Sequence, residues 1–519
     1  MTHEVVVVGA GVGGLTCAAL LAARGVDVCV VEKESQGGGC ATTFEKFGYE
    51  FETTAGLYAG WGADDIHARV FAELKSTPAP ETRKLSPAYI VRLPDRTEVR
   101  VGSASDDGDG SDESLEELAT KLSAAFPECA DAAINFYREL APIAGTLERA
   151  ARRAPALATL TKFQRMKLLA TEARHASRIL ALQEHTVAQH LAGASPRFRR
   201  FVDAQLQMFA GCASGECAYL YAAVALNLSR RGLYAIRGGA SALARALTSS
   251  IKQNGGTLRF DTTALRLAFD AGGGRTNGVT LLNGETVGAS RAVVSNLTVW
   301  DTYGKLCGLA RTPAPLRERL KHARGWGAYL LYLGADDAAL QRLPATHILA
   351  LDSRQETNET RETNETYDPA HAQLMFSASP AWDTRRAPAG KRAVTVSLYT
   401  DASDWFAYHT DEREHEAQDQ KFLEATWERL HAALPELGAG VEVIETATPR
   451  TFYETTRRKL GMVGGIPQTL AASGANAFTH RTPFPNLYMV GDTTFPGNGL
   501  AAVTQSALIA ANEIAPPRK

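Results

Sequence analysis

Cysteine is scarce and unpatterned in this chain. Seven cysteines, an odd number, are scattered through 519 residues without a C-x-x-C spacing. That argues against a disulfide framework or a zinc site and points to reduced thiols in a cytoplasmic setting. Cys212 and Cys217 stand five apart, which matches no usual metal-ligand pair. The twelve histidines include no H-x-x-x-H pair, and His185 and His190 are also five apart; no metal is expected. No G-x-S-x-G elbow supplies a serine nucleophile. Neither sign of charge dominates: the formal net charge is −2, so nothing favours nucleic acid as a partner. No apolar run is long enough to span a bilayer, and no basic leader opens the chain. Any membrane association is therefore expected to be peripheral.

What is present begins almost at the first residue. Glu4 to Val8 is a short β-branched apolar run, which predicts a buried strand. It enters Gly9-Ala10-Gly11-Val12-Gly13-Gly14, a G-x-G-x-x-G pattern. Leu15 to Arg24 has apolar residues at helical spacing, and Val26 to Val31 predicts a second strand with Glu32 at its end. Gly9 permits the tight turn, Gly11 lets a pyrophosphate reach the backbone, and Gly14 lets helix and sheet pack closely. The helix N-terminus offers N–H groups and partial positive charge to phosphates. Glu32 is placed to accept from both hydroxyls of an adenosine ribose and disfavours a 2′-phosphate. Strand, turn, helix, second strand and acid together predict dinucleotide binding. The chain carries one such fingerprint, so an external electron acceptor, or none, is expected.

Two further stretches match the first. After Lys33, Gly37-Gly38-Gly39 forms a turn that backbone can share with a ligand, followed by Cys40 and Ala41. Phe47 to Glu52 then alternates like a strand and turns at Thr53 to Gly56. At the other end, Pro485 to Asp492 reads as a strand running into Gly491-Asp492. A loop through Gly499 and an alanine-rich helix from Leu500 and Ala501 to Ile514 follow. Between them, Gly255–Phe260, Thr262–Ala268, Gly278–Leu282 and Ala292–Ser295 alternate as strands.

The Gly38-Gly39-Cys40-Ala41 turn with its acid-ending strand, and the Gly491–Gly499 loop, resemble the flavin amine oxidase superfamily. This is the superfamily of the phytoene desaturases, and the form of the terminal loop is most similar to its carotenoid isomerase and retinol saturase branches, bacterial phytoene desaturases usually carrying a different loop there. The resemblance implies an α/β fold: a Rossmann-like FAD-binding domain of the GR2 type, interleaved with a mixed α+β substrate domain. It assigns 1–75, 226–300 and 476–519 to the FAD domain. The substrate domain takes 76–225, mostly helical, and 301–475. It implies that FAD meets Gly9–Gly14, Glu32, Lys33, Gly38–Ala41, backbone near Leu265, Gly491, Asp492, Gly499, Leu500 and Ala501. Cys40 stands where the desaturases carry an arginine that helps hold the pyrophosphate. Asp492 would accept from a ribityl hydroxyl, and the helix from Gly499 would face the flavin pyrimidine carbonyl.

The function implied is an FAD-dependent oxidoreductase acting on a carotenoid-like or isoprenoid polyene, by desaturation, saturation or cis–trans isomerisation. A flavin can take a hydride from carbon, so no protein nucleophile is required, and no catalytic acid or base is singled out. Two other readings stay open. One is an amine oxidase, with Trp326, Trp382, Trp405 and Tyr453 as candidates for an aromatic cage, although core packing is the expected role of each. The other is a non-enzymatic prenyl-binding relative.

Residues 152–180 carry seven basic side chains against one acid, with apolar residues between them. That pattern fits either an anionic membrane surface or a solvated helical face. Asp107, Asp109 and Ser111 hint at a calcium loop. Leu118 stands where its glutamate should be and Asp112 where its glycine should be, so a solvated loop is expected. Glu356–Thr360 repeats as Glu362–Thr366, a polar exposed loop carrying Asn358 and Asn364.

Overall fold

A computed structural model describes residues 1–517 apart from 104–111, 154–155, 157–158, 162, 165, 168–172, 353–372 and 407–410. The candidate calcium positions 107, 109 and 111 and the 356–366 repeat lie outside the described residues.

The first strand, β1 (Thr2–Val8), has Val5, Val6 and Val7 fully buried. A strand apolar on both faces belongs inside a covered parallel sheet. β1 pairs in parallel with β2 (Val28–Val31) on one side and Thr286–Ser295 on the other. Thr257–Arg259 extends the parallel sheet beyond β2, and Leu487–Met489 extends it beyond Thr286–Ser295. The strand nearest the C-terminus thus lies two places from the first. An antiparallel hairpin, Ala264–Phe269 with Thr276–Leu281, continues the sheet at one edge.

Helix α1 (Val12–Ala23) has every residue but the last buried. It lacks a polar face because it is enclosed by the sheet and by the helices Gly239–Gln253 and Leu500–Ile514. Arg24 closes it, donating from Nε to Glu73 at 2.6 Å and from Nη1 to the Ala515 carbonyl at 2.6 Å.

A second, mostly antiparallel sheet runs Val441–Ala447, Gly327–Asp336, Lys391–Thr400, Gln373–Ala378, His347–Leu351, Tyr89–Arg92, Glu98–Val101. One face takes a helical layer, whose core of Phe126, Phe136, Phe198 and Phe201 is continuous with Tyr89, Leu349 and Met375 of the sheet. Among the described residues its helices include Leu115–Ala125, Ala130–Arg153, Ala173–Ala181, Pro196–Ala210 and Tyr219–Arg231. Ser114 and Ser195 cap two of them by accepting from Glu117 and Phe198 N–H.

One strand expectation is corrected. Phe47–Glu52 is not a single strand but the turn and second arm of a hairpin, Thr43–Lys46 with Tyr49–Glu52. Phe47 and Gly48 turn at φ 50° and 81°. The apolar alternation runs through the turn because Phe47, 76% exposed, is apolar without being buried. The edge strand begins at Ala264 rather than Thr262, whose N–H instead donates to the Glu32 carbonyl at 2.8 Å.

Candidate functional site

Where β1 ends, Gly9 turns at φ 94°. A Cβ on Gly14 would stand 2.1 Å from the Gly9 carbonyl oxygen, so only glycine lets the helix start this close to the strand. The second glycine turn lies on the first: Gly38 N–H donates to the Ala10 carbonyl at 2.8 Å. A Cβ on Gly39 would lie 3.2 Å from the Gly11 Cα.

The Glu32 carboxylate accepts from Ala10 N–H through Oε2 at 2.6 Å and from Glu34 N–H through Oε1 at 2.9 Å. It is fixed at the rim of the glycine turn with lone pairs to spare. Lys33 is otherwise engaged: its ammonium pairs with Glu34 and reaches the Glu454 carbonyl at 3.4 Å. Leu265 lies on the edge strand, 49% exposed. Its segment is tied to Glu32 through Thr262, whose N–H donates to the Glu32 carbonyl.

Asn296 is a residue that sequence reasoning missed. It follows Thr286–Ser295 directly, at the carboxyl end of a parallel strand, where open α/β sheets bind ligands. Missing Cβ atoms on Gly11 and Gly13 would fall 2.6 Å from its Nδ2 and Oδ1 respectively. One on Gly491 would fall 3.2 Å from Oδ1. A single amide therefore spans the first and last loops. Gly13 completes the junction: its Cβ would lie 3.3 Å from Gly491 Cα and 3.1 Å from Val503.

From this junction opens a cavity of about 950 Å³. Cys40, Ala41, Asp492, Gly499, Leu500 and Ala501 line one part. Gly499 precedes the fifteen-residue helix Leu500–Ile514, whose first N–H groups have no intrahelical partner. Leu330, Leu349, Met375 and Leu398 of the second sheet and Met208, Phe209, Leu220 and Val224 of the helical layer make the wall apolar.

The polar groups in the wall include three phenols, Tyr58, Tyr221 and Tyr399, alongside charged and amide side chains such as Asp65, Arg231, Gln373 and Asp492. Tyr58 Oη donates to Glu52 Oε2 at 2.7 Å, and Glu52, buried, also accepts from Ala240 N–H at 3.2 Å. Tyr221 Oη donates to Asn498 Oδ1 at 3.0 Å. Burial pushes the Tyr58 and Tyr221 hydroxyls well above their usual range and that of Tyr399 up to about 12, so all three remain proton donors. Burial likewise pushes the Cys40 thiol up, which keeps it from acting as a thiolate.

The four aromatics considered for an amine cage are elsewhere. Trp405 is fully buried and stacks on Tyr329, Trp382 lies beneath Arg83 and Arg237, and Tyr453 packs edge-on to Phe406. Trp326 donates to the Gly211 carbonyl at 2.7 Å. None of them lines the cavity.

The donor set fits a dinucleotide flavin. A cradle that a Cβ would fill carries an acid at the ribose position, and a second acid beside a helix N-terminus lines the cavity. With Gly11 to Gly14 for the phosphates and Asp492 and Leu500 further along, the cofactor would span the junction of the chain's two ends.

Comparison with known proteins agrees. The family model described as flavin containing amine oxidoreductase matches residues 12–515. The chain is 23% identical over 520 residues to the chloroplastic prolycopene isomerase of Arabidopsis thaliana, covering 99% of this chain and 82% of that one. It is 26% identical to the human all-trans-retinol 13,14-reductase, covering 98% and 85%. It is 25% identical to a 4,4′-diapophytoene desaturase of a Methylomonas species, covering 99% and 95%. Among solved structures, an oxidoreductase of Methanosarcina mazei superposes with a TM-score of 0.59 at 18% identity, covering 98% and 99%. Cyclohexylamine oxidase of Brevibacterium oxydans does so at 0.56 and 16%, covering 99% of each chain. The chain belongs to the flavin containing amine oxidoreductase family and is an FAD-dependent oxidoreductase.

Proposed function

We propose that the protein acts on a carotenoid-like or other isoprenoid polyene, by desaturation, saturation or cis–trans isomerisation. The observation that carries this reading is the cavity: about 950 Å³, apolar-walled, and continuous with the residues fitted to the flavin. Relatives named for prolycopene, all-trans-retinol and diapophytoene support it. A flavin, when bound, supplies hydride acceptance or return at its ring. The chain's own residues do the rest. Leu330, Leu349, Met375 and Leu398 exclude water and align an extended apolar chain. Tyr58, held by Glu52, and Tyr221, held by Asn498, keep hydroxyl donors in the wall.

The cofactor contacts belong to the same reading: Gly9–Gly14, Glu32, Gly38–Ala41, Gly491, Asp492 and Gly499–Ala501, with residues 1–75, 226–300 and 476–519 forming the cofactor domain. Lys33 and Leu265 take the least direct part, given where their side chains lie. The polyene would enter from a membrane surface. Arg69, Arg152, Ile179 and Gln183 line the cavity, and Phe163, Met166 and Leu180 of the adjoining segment are 73%, 62% and 46% exposed. No helix among the described residues is long and apolar enough to cross a membrane, so contact would be made through this basic, apolar-studded segment.

The test is anaerobic addition of carotenes in liposomes to the FAD-loaded protein. A change in the flavin or polyene absorption band supports the reading. Silent spectra with every polyene, alongside flavin bleaching by amines, overturn it.

A further inference from the structure

The two glycine turns, 9–14 and 37–41, and the terminal loop, 491–499, contain no lysine or arginine. They do contain an anion, Asp492. A diphosphate bound here would meet the partial charge of one helix end, roughly +0.5, and beside it a carboxylate that repels it. Burying two anions together without a cation is strongly unfavourable.

The cation comes from a distant stretch of the chain. Arg458 Nη2 donates to Asp492 Oδ2 at 2.8 Å, and Nε donates to the Met462 carbonyl at 2.6 Å. The guanidinium also lies against the Cys40 thiol, so it touches both a residue of the second glycine turn and the terminal acid. Asp492 and Cys40 both line the cavity. The side chain is 15% exposed, and Asp492 with neighbouring Asp301 holds it firmly protonated. A guanidinium has five N–H donors. Among the described residues, oxygen acceptors take only one N–H on Nη2 and the one on Nε.

The backbone around it is fixed. Lys459 N–H donates to Asp301 Oδ2 at 3.1 Å, Lys305 pairs with Asp301 at 2.8 Å, and Lys305 also donates to the Arg457 carbonyl at 2.9 Å. Arg457 and Leu460 adopt φ 56° and 50°, which turns the chain on either side of Arg458 toward Asp492.

We propose that Arg458 is a positioning residue for the cofactor. It cancels the charge of Asp492, holds that carboxylate in place, and serves as counter-ion to the FAD diphosphate with its remaining N–H donors. This rests on the flavin assignment. Planar, multi-donor guanidinium suits phosphate oxygens better than an ammonium does.

The test measures dissociation constants for FAD, by flavin fluorescence, and for ADP-ribose, which carries the diphosphate but no flavin ring. Arg458→Ala is expected to weaken both at least tenfold and to make both less dependent on salt. Arg458→Lys should recover part of the loss. Cys40→Arg placed in the Arg458→Ala protein, returning a guanidinium to the same spot from the other loop, should recover more. These two variants decide the matter even where Arg458→Ala folds poorly. Native-like affinity for FAD in Arg458→Ala, or weakened FAD with unchanged ADP-ribose binding, overturns the proposal. If the native protein itself binds no FAD, the flavin assignment falls first. If it binds FAD and Arg458→Ala matches it, the role of Arg458 alone falls.

Discussion

Ala10 donates its backbone N–H to Oε2 of Glu32 at 2.6 Å, so the acid closing β2 is clamped to the turn that follows β1. The clamp gives Glu32 two tasks. It satisfies a turn amide, and it presents its remaining lone pairs at the mouth of the glycine cradle. Glu32→Ala is expected to weaken FAD binding by about 1–3 kcal/mol through lost charge-assisted hydrogen bonds. Fluorescence titration of FAD checks it, and an unchanged dissociation constant would remove Glu32 from the site.

The glycine turn makes a steric prediction. Gly14→Ala would press a Cβ to 2.1 Å from the Gly9 carbonyl oxygen, and backbone cannot swing aside as a side chain does. It should destabilise the fold by about 1–3 kcal/mol or displace α1 enough to lose the flavin. Gly215→Ala is the control, because nothing lies within 4 Å of its added Cβ. Thermal melts with and without FAD compare the two.

Two buried histidines predict acid sensitivity. His67, stacked on Trp61, and His347 are both lowered to about 3 by burial, while an unfolded chain titrates near 6.5. Between those values the unfolded state binds more protons. Their stabilising contribution is therefore complete above pH 6.5 and shrinks as pH falls toward 3. At pH 5 each costs about 2 kcal/mol relative to neutral pH. Buried Asp203 is raised by burial and acts in the opposite sense, so the informative quantity is a difference between variants. His67→Phe should lose less stability than the native protein between pH 7 and 5 in urea melts. Parallel pH profiles would contradict the assignment.

The cavity makes a functional prediction. Ala328 lines it at the start of the long strand Gly327–Asp336. Ala328→Phe should fill part of the volume and lower kcat/KM for a polyene about tenfold or more, roughly 1.4 kcal/mol at the transition state. FAD content should stay native. Native turnover in that variant would mean that the substrate lies elsewhere.

The parallel-sheet half was legible because its signals are local. A β-branched run, a glycine turn and an acid at fixed offsets mark the nucleotide end. The Gly491-Asp492 loop and its helix mark the other. Asn296 and Arg458 were not legible, since each meets the loops only through folding: 282 residues separate Asn296 from Gly14, and 418 separate Arg458 from Cys40. Sequence proximity to a motif does not by itself aim a side chain at the site. Lys33 follows Glu32 directly, yet its charge is paired with Glu34. The aromatic candidates failed for a related reason. Trp405 and Tyr329 stack on each other in the core of the second sheet, whereas of the aromatics that line the cavity Tyr58, Phe209, Tyr221, Tyr399 and Phe452 sit in unremarkable sequence and Phe495 in the terminal loop.

The most direct test of the account is the mass and spectrum of products after FAD-loaded protein is incubated with a panel of carotenes and retinoids in liposomes. One of three changes in a polyene is expected. These are a loss of about two mass units per step, a gain of about two, or a shifted absorption spectrum at unchanged mass, according to whether hydride is taken, given or cycled. No change in any polyene, with amines consumed and peroxide released instead, would contradict it.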